Sequence, residues 1–214
     1  MIPIKLSVEK WQGQKWMLFA VYVLFSILFL FVINDIIITD PRYFTGGNQN
    51  SIKLFRNVYK AIYIIYPFYS FVKIAFIAML LKMGLAFFTS AEAGFMKLFT
   101  LVLLAEFILL VPDFLETVWF LLIHTDYTME DVKYFYPFSV HSLIDLDSIN
   151  SSNDYLLKLV NPFEFFYWLI LISGLKEISG KTTKENFKVV AGSYGLFLLI
   201  IIVARYFIFS NISS

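Results

Sequence analysis

Residues 103–122 read LLAEFILLVPDFLETVWFLL. Without Glu106, Asp113 and Glu116 this stretch would be an ordinary lipid-spanning helix, since about 20 mostly apolar residues cross a hydrocarbon core of roughly 30 Å. At 100° per residue, Glu106 and Asp113 differ by about 20°, and Glu116 lies about 60° from Asp113. All three therefore leave the helix on one side, within an arc of about 80°. An ionised group facing acyl chains costs several kcal/mol, so that side is expected to face a bundle interior or water.

The rest of the chain supplies the bundle. Its 214 residues are 59% hydrophobic and only 15% charged, where a soluble domain carries about 25% charged residues. Five segments are long and apolar enough to span, near residues 16–38, 61–81, 98–123, 155–175 and 189–209. The expected fold is a single all-α domain, a polytopic membrane bundle of five transmembrane helices. The apolar run from Met17 is longer than a signal-peptide core and no A-x-A-like site follows it, so the first helix is expected to be retained. A net charge of +1 gives no footprint for nucleic acid, and the absence of cysteine excludes disulfides and thiolate metal sites.

Lys and Arg in the connections set the orientation. With the N-terminus inside, nine basic residues (Lys5, Lys10, Lys15, Lys82, Lys97, Lys176, Lys181, Lys184, Lys188) face the cytoplasm. Six (Arg42, Lys53, Arg56, Lys60, Lys133, Lys158) face outward, which favours N-in and C-out. The loop 125–154 then lies outside, with six acids (Asp126, Glu130, Asp131, Asp145, Asp147, Asp154) against Lys133. IKLFRNVYKAIYIIY, residues 52–66, reads as an interfacial amphipathic start to the second span.

Depth along the spans pairs the charges. At about 1.5 Å per residue, Lys73 and Glu106 both sit roughly 12 Å from the cytoplasmic end of neighbouring spans, and are expected to form an ion pair. Arg205 shares a level with Asp113 and Glu116 and is expected to pair with one of them. Such pairs fix helix register, each charge being tolerated because it is partnered. No basic residue shares the level of Glu164, which makes it the acid expected to carry function if one does.

Other signals are weaker. Asp145-Leu-Asp147 begins like a calcium loop but lacks the glycine and terminal glutamate that such a loop needs. His124 and Asp126 offer two metal ligands at a span end, where interfacial polar residues are commoner, and no metal or cofactor motif is found. Asn150 and Asn211 are formal glycosylation acceptors. Pro67, Pro112 and Pro162 fall in or at the start of spans, and Ala191-x-x-x-Gly195 is a small-residue patch suited to close helix approach.

The segment DYLLKLVNPFEFFYWLILISGLKEISGKTTKENFKVVAGSYGLFLLIIIV carries a family resemblance. An Asn-Pro-Phe entry leads into an aromatic span with Tyr167-Trp168 and a closing Ser173-Gly174-Leu175. A short Ser/Lys/Thr turn and a final apolar span follow. This resembles the end of the Yip family of Ypt/Rab-interacting five-span membrane proteins, particularly its bacterial branch. The Asp-Leu-x-Gly-Pro type of motif and the long cytosolic N-terminal region of eukaryotic members are absent. The resemblance implies a bacterial inner membrane, with Golgi or ER membrane as the alternative. It implies a non-enzymatic accessory or scaffold subunit of a larger membrane complex, with lipids and other integral membrane proteins as partners. The competing expectation is a small transporter or proton-coupled channel using the buried carboxylates.

Overall fold

A computed structural model describes residues 8–38, 49–128, 131–132, 135–139 and 161–212, and the described part is helical, without a strand. A short α1 (Val8–Gln12) precedes α2 (Lys15–Phe31), which continues as π-helix through Val32–Ile38. α3 (Gln49–Thr89) is 41 residues long. The third long helix is built in pieces: α4 (Phe95–Glu106), a 3-10 turn (Phe107–Leu110), α5 (Val111–Val118) and a π-helical turn (Trp119–Ile123). α6 spans Pro162–Ser179. The last helix comprises α7 (Thr183–Val190), a π-helical turn (Ala191–Gly195) and α8 (Leu196–Ile212).

Four stretches are long and apolar enough to cross a membrane: Lys15–Asn34, Asn57–Thr89, Phe95–Ile123 and Thr183–Arg205. Their outer faces are lined with exposed Leu24, Phe25, Ile64, Phe68, Phe87 and Leu199, an apolar surface far beyond what a soluble monomer tolerates. The chain is therefore an all-helical membrane protein with at least these four candidate spans. α6 is set apart by Glu164, Lys176 and Glu177 within its 18 residues, a length of about 27 Å.

The boundaries differ from expectation at two places. Residues 49–66 belong to one uninterrupted helix with the second span, so no separate interfacial helix breaks at its start. Pro67 sits inside that helix without ending it. The fourth predicted segment begins at Pro162, because Asn161 caps the helix: its Oδ1 accepts the Glu164 N–H at 2.9 Å, and proline at the first position lacks only an N–H that would be orphaned anyway. Residues 155–160, most of the acidic loop, the Asp145-Leu-Asp147 run and Asn150 lie outside the described residues.

Pro112 accounts for the broken third helix. It has no N–H to give the carbonyl of Ile108, and the Val111 N–H takes that carbonyl in a tighter turn. The α6–α7 turn is equally explicit. Gly180, at φ +67°, gives its N–H to the Lys176 carbonyl at 3.1 Å, a left-handed cap that glycine adopts without steric cost. Thr182 and Glu185 then form a reciprocal capping box at 3.3 and 2.9 Å.

α4 is the axis of the core and packs on α1, α2, α3 and α6. Leu98, Leu101, Val102 and Leu103 are fully buried against Ile74, Leu81 and Leu85 of α3 and Tyr167, Leu171 and Leu175 of α6. At Gly174 of α6 an added Cβ would collide with the Leu101 side chain, so glycine there sets the α4–α6 spacing. The small-residue patch of the last helix is also used inside the chain. A Cβ on Gly192 would strike the Phe88 ring, and one on Gly195 would lie 2.5 Å from Trp168. A second, smaller core joins the π-helical ends of the first and third long helices. There Ile37, Phe120 and Tyr127 are buried, and the Tyr127 hydroxyl donates to the Ile37 carbonyl at 3.2 Å.

Candidate functional site

Glu106 ends α4 at the break in the third helix and is 0% exposed. Its Oε2 is 2.7 Å from the Lys73 ammonium of α3, and the same oxygen accepts from the Tyr22 hydroxyl of α2 at 3.2 Å. Oε1 accepts from the Tyr167 hydroxyl of α6 at 3.3 Å. The short turn between α3 and α4 makes them antiparallel neighbours, which brings residues at equal distance from that turn together.

The network continues through the aromatic rings. Tyr167 packs on Tyr194 of the last helix, ring centroids 5.2 Å apart. The Tyr194 hydroxyl donates to Glu164 Oε1 at 2.9 Å, and the indole N–H of Trp168 donates to the same oxygen at 3.0 Å. Five helices thus each bring a polar side chain to one internal layer: Tyr22, Lys73, Glu106, Tyr167 with Glu164, and Tyr194. The π-helical turn Ala191–Gly195 contains Tyr194 and puts its ring toward α6. Buried carboxylates with this many donors meet the rule that buried polar groups be satisfied.

The expected ion pairs divide. Lys73 and Glu106 are brought together. Arg205 is not brought to Asp113 or Glu116: among the described residues the ion pairs are Lys73–Glu106, Lys97–Glu9 and His124–Asp131. Arg205 is exposed midway along α8, whereas the last helix packs on α3 and α6 through its first half, away from α5. Equal depth does not imply adjacency when two helices share no packing face.

Among the described residues Glu164 has no ion-pair partner, and neutral donors hold it. His124 Nε2 stands 3.8 Å from Asp131 Oδ2, not over Asp126. Asp131 caps its own turn, accepting from the Thr128 N–H at 2.6 Å and the Thr128 hydroxyl at 2.9 Å. These bonds hold its carboxyl below the usual range. No group of three or more His, Cys, Asp or Glu side chains suited to a metal is found among the described residues.

Tyr22 and Tyr194 were not singled out in the sequence, and Tyr167-Trp168 entered only through the family resemblance, although all four complete the network. With 13 tyrosines in the chain, the residue type alone carries no signal. A Tyr one helical turn from Ser26 (Tyr22), and a Tyr-Trp pair three and four residues after an unpaired acid (Glu164), are the spacings that point to them.

Comparison of the chain with protein-family models, with curated proteins and with solved structures gives no match. What the fold and site define is a class: a helical membrane protein whose long helices are tied together by an internal layer of charged and aromatic polar groups.

Proposed function

We propose that the chain is a non-enzymatic membrane protein of five spans, N-in and C-out, with α6 as the fourth. It serves as an accessory or scaffold subunit of a larger assembly, as its Yip-like C-terminal third would imply, in a bacterial inner membrane. The observation that carries this reading is the layer around Glu106. A carboxylate that is completely buried, ion-paired and bonded to hydroxyls from two further helices is a fixed joint. Opening it during a transport cycle would leave buried charge unpartnered, at a cost of several kcal/mol. A rigid frame suits a protein that holds others.

A surface for such a partner is at hand. A groove of about 440 Å³ between α3 and the last helix is lined by Leu80, Met83, Gly84, Phe87, Gly192 and Phe197. Membrane helices associate through close packing at small residues. Purification from native membranes in mild detergent tests the reading: a stoichiometric integral-membrane partner is expected, and migration as a lone monomer would sink it. Reporter fusions at both ends test the five-span topology, with the termini expected on opposite sides.

The transport reading keeps one observation in its favour. Asp113 and Glu116 lie in a spanning segment without the partners that Glu106 has. Uptake of protons or solute by reconstituted vesicles, lost in Glu164→Gln or Asp113→Asn, would favour it over the scaffold.

A further inference from the structure

The groove between α3 and the last helix has a tight floor and an open rim. A Cβ on Gly192 would strike the Phe88 ring, and one on Gly84 would lie 3.1 Å from the Ser193 and Val189 side chains. Met83, Phe87, Leu196 and Ile200 form an exposed rim, so the groove opens sideways to the bilayer. Among the described residues that line it, only Ser193 has a polar side chain, and its hydroxyl already donates to the Val189 carbonyl at 2.6 Å. A polar group placed in the groove would go unbonded, so its occupant is hydrocarbon. Size narrows the choice. The lining runs from Leu80 to Phe88 and from Gly192 to Ile200, about 12 Å along each helix. A volume of about 440 Å³ over that length leaves a cross-section of roughly 40 Å², whereas a helix 10–12 Å across needs about 80 Å² or more. A partner helix can lie over this groove but cannot fill it; a single acyl chain can.

One end of the groove carries charge. Lys184, Lys188, Gly192, Leu196 and Ile200 follow one another at i+4 and form a single ridge of the last helix. The wall of the groove therefore continues past its mouth as two exposed lysines, with Lys188 about 6 Å from Gly192 along the axis. Neither lysine joins an ion pair with a described residue. Glu185, between them, is taken up by Thr182, whose N–H and hydroxyl donate to it at 2.9 and 2.7 Å. The contacts of Gly84 and Gly192 bring the α3–α4 and α6–α7 turns to the same membrane surface. An apolar slot that ends in cations at that surface complements a molecule with a hydrocarbon tail and an anionic head.

We propose that the groove seats one acyl chain of an anionic phospholipid from the adjoining leaflet, with its phosphate held by Lys188 and Lys184. Lysine stems at such a border lie along apolar surface and carry the ammonium out to the headgroup level. The proposal needs neither the scaffold role nor a particular orientation of the chain in the membrane. A partner helix can still cover the filled groove.

The test is native mass spectrometry of the full-length protein in neutral detergent, titrated with phosphatidylglycerol or with phosphatidylcholine of the same acyl chains. A lysine at an anionic surface is worth about fivefold in affinity, so one phosphatidylglycerol per chain is expected to bind roughly twentyfold more tightly than phosphatidylcholine. In Lys184→Gln/Lys188→Gln, which changes two exposed side chains and no packing, the preference should vanish while phosphatidylcholine binding is unchanged. Lys82→Gln, on the opposite side of α3 from Leu80 and Gly84, should keep the preference. Met83→Trp enlarges an exposed rim residue into the groove and should lose both lipids. Equal affinity for the two lipids, a preference kept by the lysine double variant, or one lost equally in Lys82→Gln would each overturn the proposal. So would unchanged lipid binding in Met83→Trp, or a dimer of the chain that takes the lipid's place and is broken by that variant.

Discussion

The two halves of the third helix carry the same chemistry and meet opposite conditions. In α4, Glu106 is sealed among side chains of three other helices and saturated with donors. In α5, one to three turns further along, Asp113 and Glu116 have no such company. The break at Phe107–Leu110 separates them. Up to Glu106 the helix is the axis of the bundle; the 3-10 turn beyond it still packs on α6 and α2, and α5 then packs on α2 and its π-helical extension, up to the small aromatic core. A carboxylate in a membrane span is therefore not one kind of feature. What it does depends on whether a neighbouring helix still runs alongside at its height.

The largest effect expected from that contrast is at Glu106. Replacing it by Gln leaves the Lys73 ammonium without its anion, and breaking one side of a buried pair costs about 3–5 kcal/mol. Lys73 is one-third exposed, so the lower end applies: a loss of about 3 kcal/mol, or a Tm lowered by roughly 6–12 °C for a chain of this size. The double variant Lys73→Met/Glu106→Gln should recover part of the loss, because no lone charge remains. Asp113→Asn should cost less than about 1 kcal/mol, since no ion pair with a described residue is lost with it. Equal losses for Glu106→Gln and Asp113→Asn would break the distinction between the two halves.

Next in size is the spacing that makes the first half tight. Gly174→Ala puts a methyl group into the Leu101 side chain, and overpacking of this kind costs about 1–3 kcal/mol. Leu101→Ala in the same background should restore a good part of it. If Gly174→Ala is neutral, α4 and α6 are less closely seated than the buried core around them implies.

Much of this was legible in the sequence, and the reason is local. Long apolar runs report on the solvent a helix meets, so the four spanning stretches can be read without knowing any contact. Lys73 and Glu106 can be read together because a short turn joins their helices, and equal counts from that turn mean equal height. The same arithmetic misplaced Arg205, because its helix and α5 are not sequence neighbours and do not pack. Height was legible; adjacency was not. Tyr22, Tyr167 and Tyr194 were hidden for another reason. Amphipathic rings serve equally as core, interface and donor, and only the assembled bundle selects three of 13. The helix breaks at Val32–Ile38 and Ala191–Gly195 left no proline to announce them.

Tyr194→Phe probes the far edge of the central layer. It removes one of two donors to Glu164 while keeping the ring against Tyr167 and Trp168. A net hydrogen bond is worth about 1 kcal/mol, so Tm should fall by roughly 2–4 °C. Glu164→Gln, which can still accept from both donors, should fall by less; a larger fall there than in Tyr194→Phe would mean that the charge at Glu164, and not its bonds, is what the layer needs.

The smallest effect lies outside the span, at Asp131. Its carboxyl accepts two bonds from Thr128 and faces His124, and its pKa is lowered by those Thr128 bonds first and His124 last. A group whose folded pKa lies below its unfolded value stabilises the fold above the unfolded pKa, about 3.9 for Asp, and loses that contribution as pH falls through the folded value. The Thr128–Asp131 bonds should therefore persist at neutral pH and be lost only in acid below about pH 4, with no change between pH 5 and 8 from Asp131 itself. Side-chain carboxyl NMR shifts of Asp131, followed against pH in wild type and in Thr128→Ala, give the check. The midpoint should rise toward the ordinary Asp value when Thr128 is lost, and an unmoved midpoint would leave His124, not Thr128, as the partner that matters. This carboxylate is the control for the comparison along the third helix: acidic, well bonded and in water, where good partners are worth least.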